Sequence, residues 1–188
     1  MRLKFNTLTC IILVLLAALL VPTRGARAAT TVNRPRQEVT AYDLIIAMNT
    51  LRVSLGNQAL VEDPIINAVA QATADYMAAN QMSWHIGDVS GRIQSAGFGG
   101  GAQVWATENF AVGSNHSIDT IMAVWADESH MIPAVKPAYC AIGAGVAKAS
   151  NGMTYFVLQA AYTNGMICGD YTPSTSGNNP STGSTNPN

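Results

Sequence analysis

The chain has 188 residues, of which 48% are hydrophobic and only 11% are Asp, Glu, Lys or Arg; an average soluble domain carries about 25% charged residues. So apolar a chain is not disordered. The formal net charge of −1 hides an asymmetry: Arg2, Lys4, Arg24 and Arg27 all precede residue 29, and without them six basic residues face eleven acidic ones, a net charge of −5. A chain of that charge has no electrostatic basis for gripping nucleic acid or an anionic membrane.

The first 28 residues read as a signal peptide. Arg2 and Lys4 form a basic start, Cys10 to Val21 is an unbroken apolar run, and Ala26-Arg27-Ala28 is a small-x-small cleavage pattern. The run is shorter than the ~20 residues that span a bilayer. An uncleaved anchor is the alternative, and it would be the protein's only route to a membrane. Cys10 lies before the apolar core, which excludes lipidation at that residue. The expected location is therefore secreted, extracellular. Residues 29–39 read as a flexible lead-in, 40–171 as one folded domain, and 172–188 as a low-complexity tail. The tail has no apolar side chain except proline to offset its ordering entropy.

Thr40-Ala-Tyr-Asp43 resembles a capping box and opens a first helix, with Leu44, Met48, Leu51 and Leu55 on one face and Gly56 as its stop. Asp63-Pro64 starts a second helix that runs to about Asn80, with Ile65, Val69, Ala72 and Tyr76 on one stripe. A short third helix is expected from Asp88 to Ala96. Ser117 caps a fourth, whose buried face holds Ile118, Ile121, Met122 and Trp125. Ile142–Ala149 and Met153–Tyr162 flank Ser150-Asn-Gly152, a hairpin signal. Helices followed by a hairpin define an α+β class. Cys140 and Cys168 remain after cleavage, and an even pair in an exported chain favours a disulfide over two free thiols.

Few groups could carry chemistry. His85 follows the second helix, Glu108 sits among apolar neighbours, and Glu128 lies three residues after Trp125. If the fourth helix continues, Glu128 falls on its buried face, where a carboxylate needs a partner. His130 can join it only if that helix ends near Asp127–Ser129. Asp127 reads as solvent-side and His116 as exposed. Two imidazoles and two carboxylates suffice for a divalent metal or for general acid/base chemistry. They could equally be satisfied structural groups. Neither a Gly-x-Ser-x-Gly elbow nor a phosphate-cradling loop is present.

The order of fragments resembles the CAP superfamily: Asn49-Thr-Leu-Arg52, Leu60-Val-Glu-Asp63, Ala70…Ala74…Met77-Ala78, His85, Arg92…Gly97-Phe98, Glu108-Asn-Phe-Ala111, Trp125-Ala-Asp-Glu128-Ser-His130, Ile142-Gly-Ala-Gly145 and Thr154-Tyr-Phe-Val157. The superfamily comprises cysteine-rich secretory proteins, antigen 5 and pathogenesis-related 1 proteins, with exported bacterial single-domain members. The resemblance implies an α–β–α sandwich around a small antiparallel sheet. It also implies a central cleft built from His85, Glu108, Glu128 and His130, able to hold a divalent metal, zinc above all. The second histidine of the resemblance falls on His130, where bacterial members often carry one shortly after the tryptophan helix; animal and plant members take theirs from a later Gly-His-Phe segment that is absent here. The function implied is binding of an extracellular protein, a lipid or a cell-surface ligand. The alternatives are a metal-dependent hydrolase of peptide or cell-wall material, with Glu108 or Glu128 activating water, and a lipid- or sterol-binding module.

Overall fold

The computed structural model describes residues 38–173. The signal segment, most of the lead-in and most of the tail lie outside the described residues. In chain order the elements are α1 (Ala41–Ser54), β1 (Val61–Glu62), α2 (Pro64–Ala79), α3 (Val89–Ser95), a 3-10 turn (Phe98–Gly101), β2 (Val104–Gly113), α4 (Ile118–Val124), α5 (Ile132–Val135), β3 (Ala141–Lys148), β4 (Thr154–Thr163) and a 3-10 turn (Cys168–Asp170). The four strands form one sheet in the order β1-β3-β4-β2. Pairs β3–β4 and β4–β2 are antiparallel, and the two-residue β1 joins β3 in parallel. The class is α+β, as expected, and the short parallel strand is an addition to the antiparallel sheet.

Local chemistry sets the starts of the helices. The capping box at Thr40 forms in full, with the Asp43 carboxylate accepting from the Thr40 backbone N–H at 2.8 Å. Asp63 Oδ1 accepts from the N–H groups of Ile65 and Ile66, and its Oδ2 accepts from the Tyr171 hydroxyl. Ser117 Oγ accepts from Thr120 N–H at 3.2 Å. The hairpin turns where its sequence signal lies, with Gly152 at φ +84°. Leu55, expected on the buried face of α1, is instead that helix's C-terminal cap and is exposed.

Alternation along the strands divides the core in two. One face packs Ala111, Ile142, Ala144, Phe156, Leu158 and Ala160 against α1, Ile121 and Trp125. The other faces α2 and α3 through two apolar clusters, one around Val157 and Met77, the other around Ala161, Ile66 and Ile93. Strand β2 had no counterpart in the sequence reading, which placed Glu108 only among apolar neighbours. Its inner register with β4, from Val104↔Thr163 to Gly113↔Thr154, makes it the sheet's second edge.

Two glycines determine how α2 sits. A Cβ at Gly143 would lie 2.3 Å from Asn67 N, and one at Gly145 would lie 2.4 Å from Gln71 Cα. The helix backbone therefore rests directly on β3. That approach selects the face with small residues, Ala70 and Ala74, flanked by Ile66 and Met77. The expected stripe of Ile65, Val69, Ala72 and Tyr76 is not the buried one. It lies one residue out of phase, about 100° around the helix, and Tyr76 is 55% exposed. The same closeness lets α2 protect an edge. Beyond β1, Asn67 Oδ1 accepts from Ala144 N–H, and the Gln71 amide both accepts from and donates to the Val146 backbone. On the opposite edge, Ser90 Oγ accepts from Ala106 N–H, and Trp125 Nε1 donates to Phe110 O.

The Cys140–Cys168 disulfide is present and ties the C-terminal turn to the start of β3.

Candidate functional site: a saturated carboxylate beside a groove

Glu108, Gln159 and Gly143 are partners in register across β2, β4 and β3. This polar row separates the two apolar clusters on the α2/α3 face. Because Gly143 lets α2 come close, Thr73 reaches the row. Its hydroxyl donates to Val69 O and accepts from Gln159 Nε2 at 3.3 Å and from Arg92 Nη1. Arg92 projects from α3, donating through Nε to Gly87 O at 3.0 Å and through Nη2 to Glu108 Oε2 at 2.8 Å. Gln159 Nε2 shares that oxygen at 2.8 Å. His85 Nδ1 occupies Oε1, also at 2.8 Å. The rings of His85 and Phe110 meet edge to face, with centroids 4.7 Å apart.

The Glu108 side chain is 1% exposed, Arg92 24% and His85 41%. Burial pushes the Glu108 carboxyl up, but hydrogen bonds from His85, Arg92 and Gln159 and the Arg92 charge outweigh it. The group is held below the usual carboxylate range and is ionised. Arg92 neutralises it, so the centre is a paired charge rather than a bare one.

Against one flank lies an open groove of about 580 Å³ between α2 and α3, lined by Val69, Ala72, Thr73, Tyr76, Ile86 and Arg92 among others. The misplaced apolar stripe of α2 is thus one wall of a cavity, and Thr73 and Arg92 belong to both the groove and the charged row.

The other two expected site residues are elsewhere. Helix α4 stops at Val124, with Trp125 as its cap, because the indole is buried and bonded to Phe110 O at 3.0 Å. The chain then turns on Asp127, whose Oδ1 accepts from the N–H groups of Ser129 and His130. Helical phase is lost before residue 128, and Glu128 is exposed. The buried-face argument for it fails for that reason. His130 pairs with Asp127 Oδ2 through Nδ1 at 2.5 Å, not with Glu128. Its carbonyl accepts from Asn109 Nδ2 at 2.7 Å. Adjacent strand residues point to opposite faces, so Asn109 and His130 meet on the side of the sheet away from Glu108. Asp127 is solvent-side, as expected. His116 is not simply exposed: it is half-buried and stacks on Phe156.

His85, Glu108, Glu128 and His130 therefore do not form one cation site. Both oxygens of Glu108 are already engaged, and among the described residues no three of His, Cys, Asp and Glu stand together as a metal requires. Three members of the actual centre were missed. Sequence reasoning reaches Arg92 only as part of a family-like fragment and does not reach Thr73. Gln159 had a readable signal: an amide in the middle of the apolar run Val157-Leu-Gln-Ala-Ala161 calls for a partner just as a buried acid does.

An α–β–α sandwich in which a buried glutamate of an edge strand pairs with a loop histidine defines a class of small domain. Residues 45–160 match the cysteine-rich secretory protein family, CAP, and over that span the chain belongs to it. No curated protein matches the chain. The fold is similar to an outer surface protein of Borrelia burgdorferi at 18% identity and a TM-score of 0.53, covering 64% of this chain and 90% of that one. It is also similar to an extracellular protein of Bacillus anthracis containing an SCP domain, at 19% identity and a TM-score of 0.52, with 65% of this chain and 40% of that one covered. A Staphylococcus aureus cysteine-rich secretory protein aligns at 16% identity and a TM-score of 0.52, covering 70% of this chain and 42% of that one. The chain thus spans about two fifths of the last two. Among the described residues no helix is long and apolar enough to cross a membrane.

Proposed function

We propose that this is an exported CAP-domain protein that acts by binding, and that its ligand is a largely apolar group seated in the groove between α2 and α3. The signal-like first 28 residues and the outer-surface and extracellular neighbours support export. The observation that carries the binding reading is the groove itself: an apolar wall of Val69, Ala72 and Tyr76 that lies off the fully buried face of α2. Its volume is in the range of small-molecule pockets, and an apolar cleft with a few convergent polar groups is the ordinary form of one. The occupant is either a lipid-like molecule or an apolar side chain of an extracellular partner.

Hydrolysis is the weaker reading, because Glu108 already accepts three hydrogen bonds and both of its oxygens are engaged by His85, Arg92 and Gln159. Solvent extraction and mass spectrometry of the purified protein test the proposal. An apolar molecule recovered from the native chain and lost from Ala72→Phe, which fills the groove, is the expected result. Turnover of peptides or peptidoglycan that disappears in Glu108→Gln would overturn it.

A further inference from the structure

An ionised carboxylate accepts hydrogen bonds and donates none. Glu108 Oε2 is taken by Arg92 and Gln159, so the proton between Glu108 Oε1 and His85 belongs to His85 Nδ1. When the imidazole is neutral it carries one proton, and Nδ1 holding that proton leaves Nε2 bare on the side of the ring away from Glu108. His85 is also the most exposed side chain of the row, and its ring packs edge to face with Phe110.

We infer that Arg92 is the resident cation of this centre, in the place a metal would otherwise take, and that Arg92 and Glu108 together hold His85 as the Nδ1–H tautomer with Nε2 presented as a hydrogen-bond acceptor. Arg92 and Glu108 are positioning residues. Arg92 fixes the carboxylate through a guanidinium fork that is itself held by Thr73 and Gly87, and the carboxylate fixes the ring. The group that His85 would recognise is a neutral donor, a hydroxyl or an amide N–H. That last clause rests on the binding reading above, and the tautomer does not.

Long-range proton–nitrogen NMR of the imidazole, on the purified chain with and without zinc, reads the assignment directly. Native protein should show the Nδ1–H form of His85 in an excess of about tenfold or more, as a charge-assisted hydrogen bond sustains. Zinc should leave the His85 signals in place and give no stoichiometric heat by calorimetry. Arg92→Gln should mix the two tautomers, and Arg92→Lys, which keeps the charge without the fork, should restore part of the bias. A predominant Nε2–H form in the native chain would overturn the inference. So would one equivalent of zinc bound by the native chain with displacement of its His85 signals. Both decisive readings come from the unmutated protein, so a variant that fails to fold does not rescue the idea. The mass-spectrometric search for a groove ligand can fail without touching either.

Discussion

Two buried charges in this domain are handled in opposite ways. Arg52 of α1 is 1% exposed and, among the described residues, is held by backbone carbonyls and not by a carboxylate. Its five N–H donors point at five backbone carbonyls: Nε at Gln58 O, Nη1 at Pro133 O and Lys136 O, Nη2 at Pro137 O and Tyr139 O. Glu108 is also buried but is satisfied by side chains from two separate elements and a loop, and the loop residue, His85, opens to solvent. The first arrangement is closed: every donor has an acceptor and nothing reaches the surface. The second transmits a fixed orientation from the core to an exposed ring. Burial of a charge is common to both, so burial alone does not mark a site. An exit to solvent does.

The largest effect should follow from opening the closed arrangement. Arg52→Met keeps much of the stem but strands carbonyls from the 133–139 segment inside the fold. Desolvated acceptors without partners cost about 1–3 kcal/mol each when water cannot reach them. A loss of at least about 3 kcal/mol in urea unfolding is expected for the set. Arg52→Lys offers three donors for five acceptors and should fall between. If Arg52→Met unfolds within error of the native chain, the carbonyl cage is incidental and the contrast with Glu108 collapses.

Glu108→Gln should cost less at neutral pH and should change the pH dependence as well. The folded-state pKa of Glu108 is depressed below the ordinary value. Over that window the unfolded chain binds the proton more readily, so this group's stability is fully present above the unfolded carboxylate pKa. It is lost as pH falls from about 4.5 through the folded value. Asp43 and Asp127 are also depressed and titrate in the same window, so the informative quantity is the difference between the two proteins. The urea midpoint of the native chain should fall more steeply on acidification than that of Glu108→Gln. Parallel curves would mean that the row does not favour the charged form. Arg92→Gln should flatten the acid limb in the same sense, since it removes the cation that helps hold the carboxylate ionised.

Most of the scaffold was legible in the sequence because local chemistry decides it. The Thr40 box, the Asp63-Pro64 start, the Ser117 cap and the Ser-Asn-Gly turn are each satisfied within a few residues of themselves. The stripe of α2 was misread because the decision lies elsewhere in the chain. Periodicity favoured the larger Ile65, Val69 and Tyr76, but the bare backbone at Gly143 and Gly145 admits only the alanine face. Glu128 failed for a related reason: a helical argument was carried three residues past a helix that Trp125 ends. The His85–Glu108 pair was named in advance as half of a set of four. Its real companions, Arg92, Thr73 and Gln159, come from α3, α2 and β4, and no spacing in one dimension joins them.

The Asp127–His130 pair extends the contrast to a charge that was never buried. Asp127 is 55% exposed, its carboxylate lowered by the hydrogen bonds it accepts from the His130 backbone and ring. Its two oxygens do different things. Oδ1 caps the turn after α4 through two backbone N–H groups, and Oδ2 meets the imidazole. Asn keeps an acceptor for the turn but loses the charge that faces the ring. Asp127→Asn should therefore leave the urea midpoint essentially unchanged, because an exposed ion pair contributes little. It should still shift the His130 ring signals by NMR while leaving those of His85 untouched, since the two residues meet β2 from opposite faces. Movement of the His85 signals in Asp127→Asn would show that the two centres communicate through the Glu108–Asn109 step. The sheet would then not be the partition that alternation along β2 makes it.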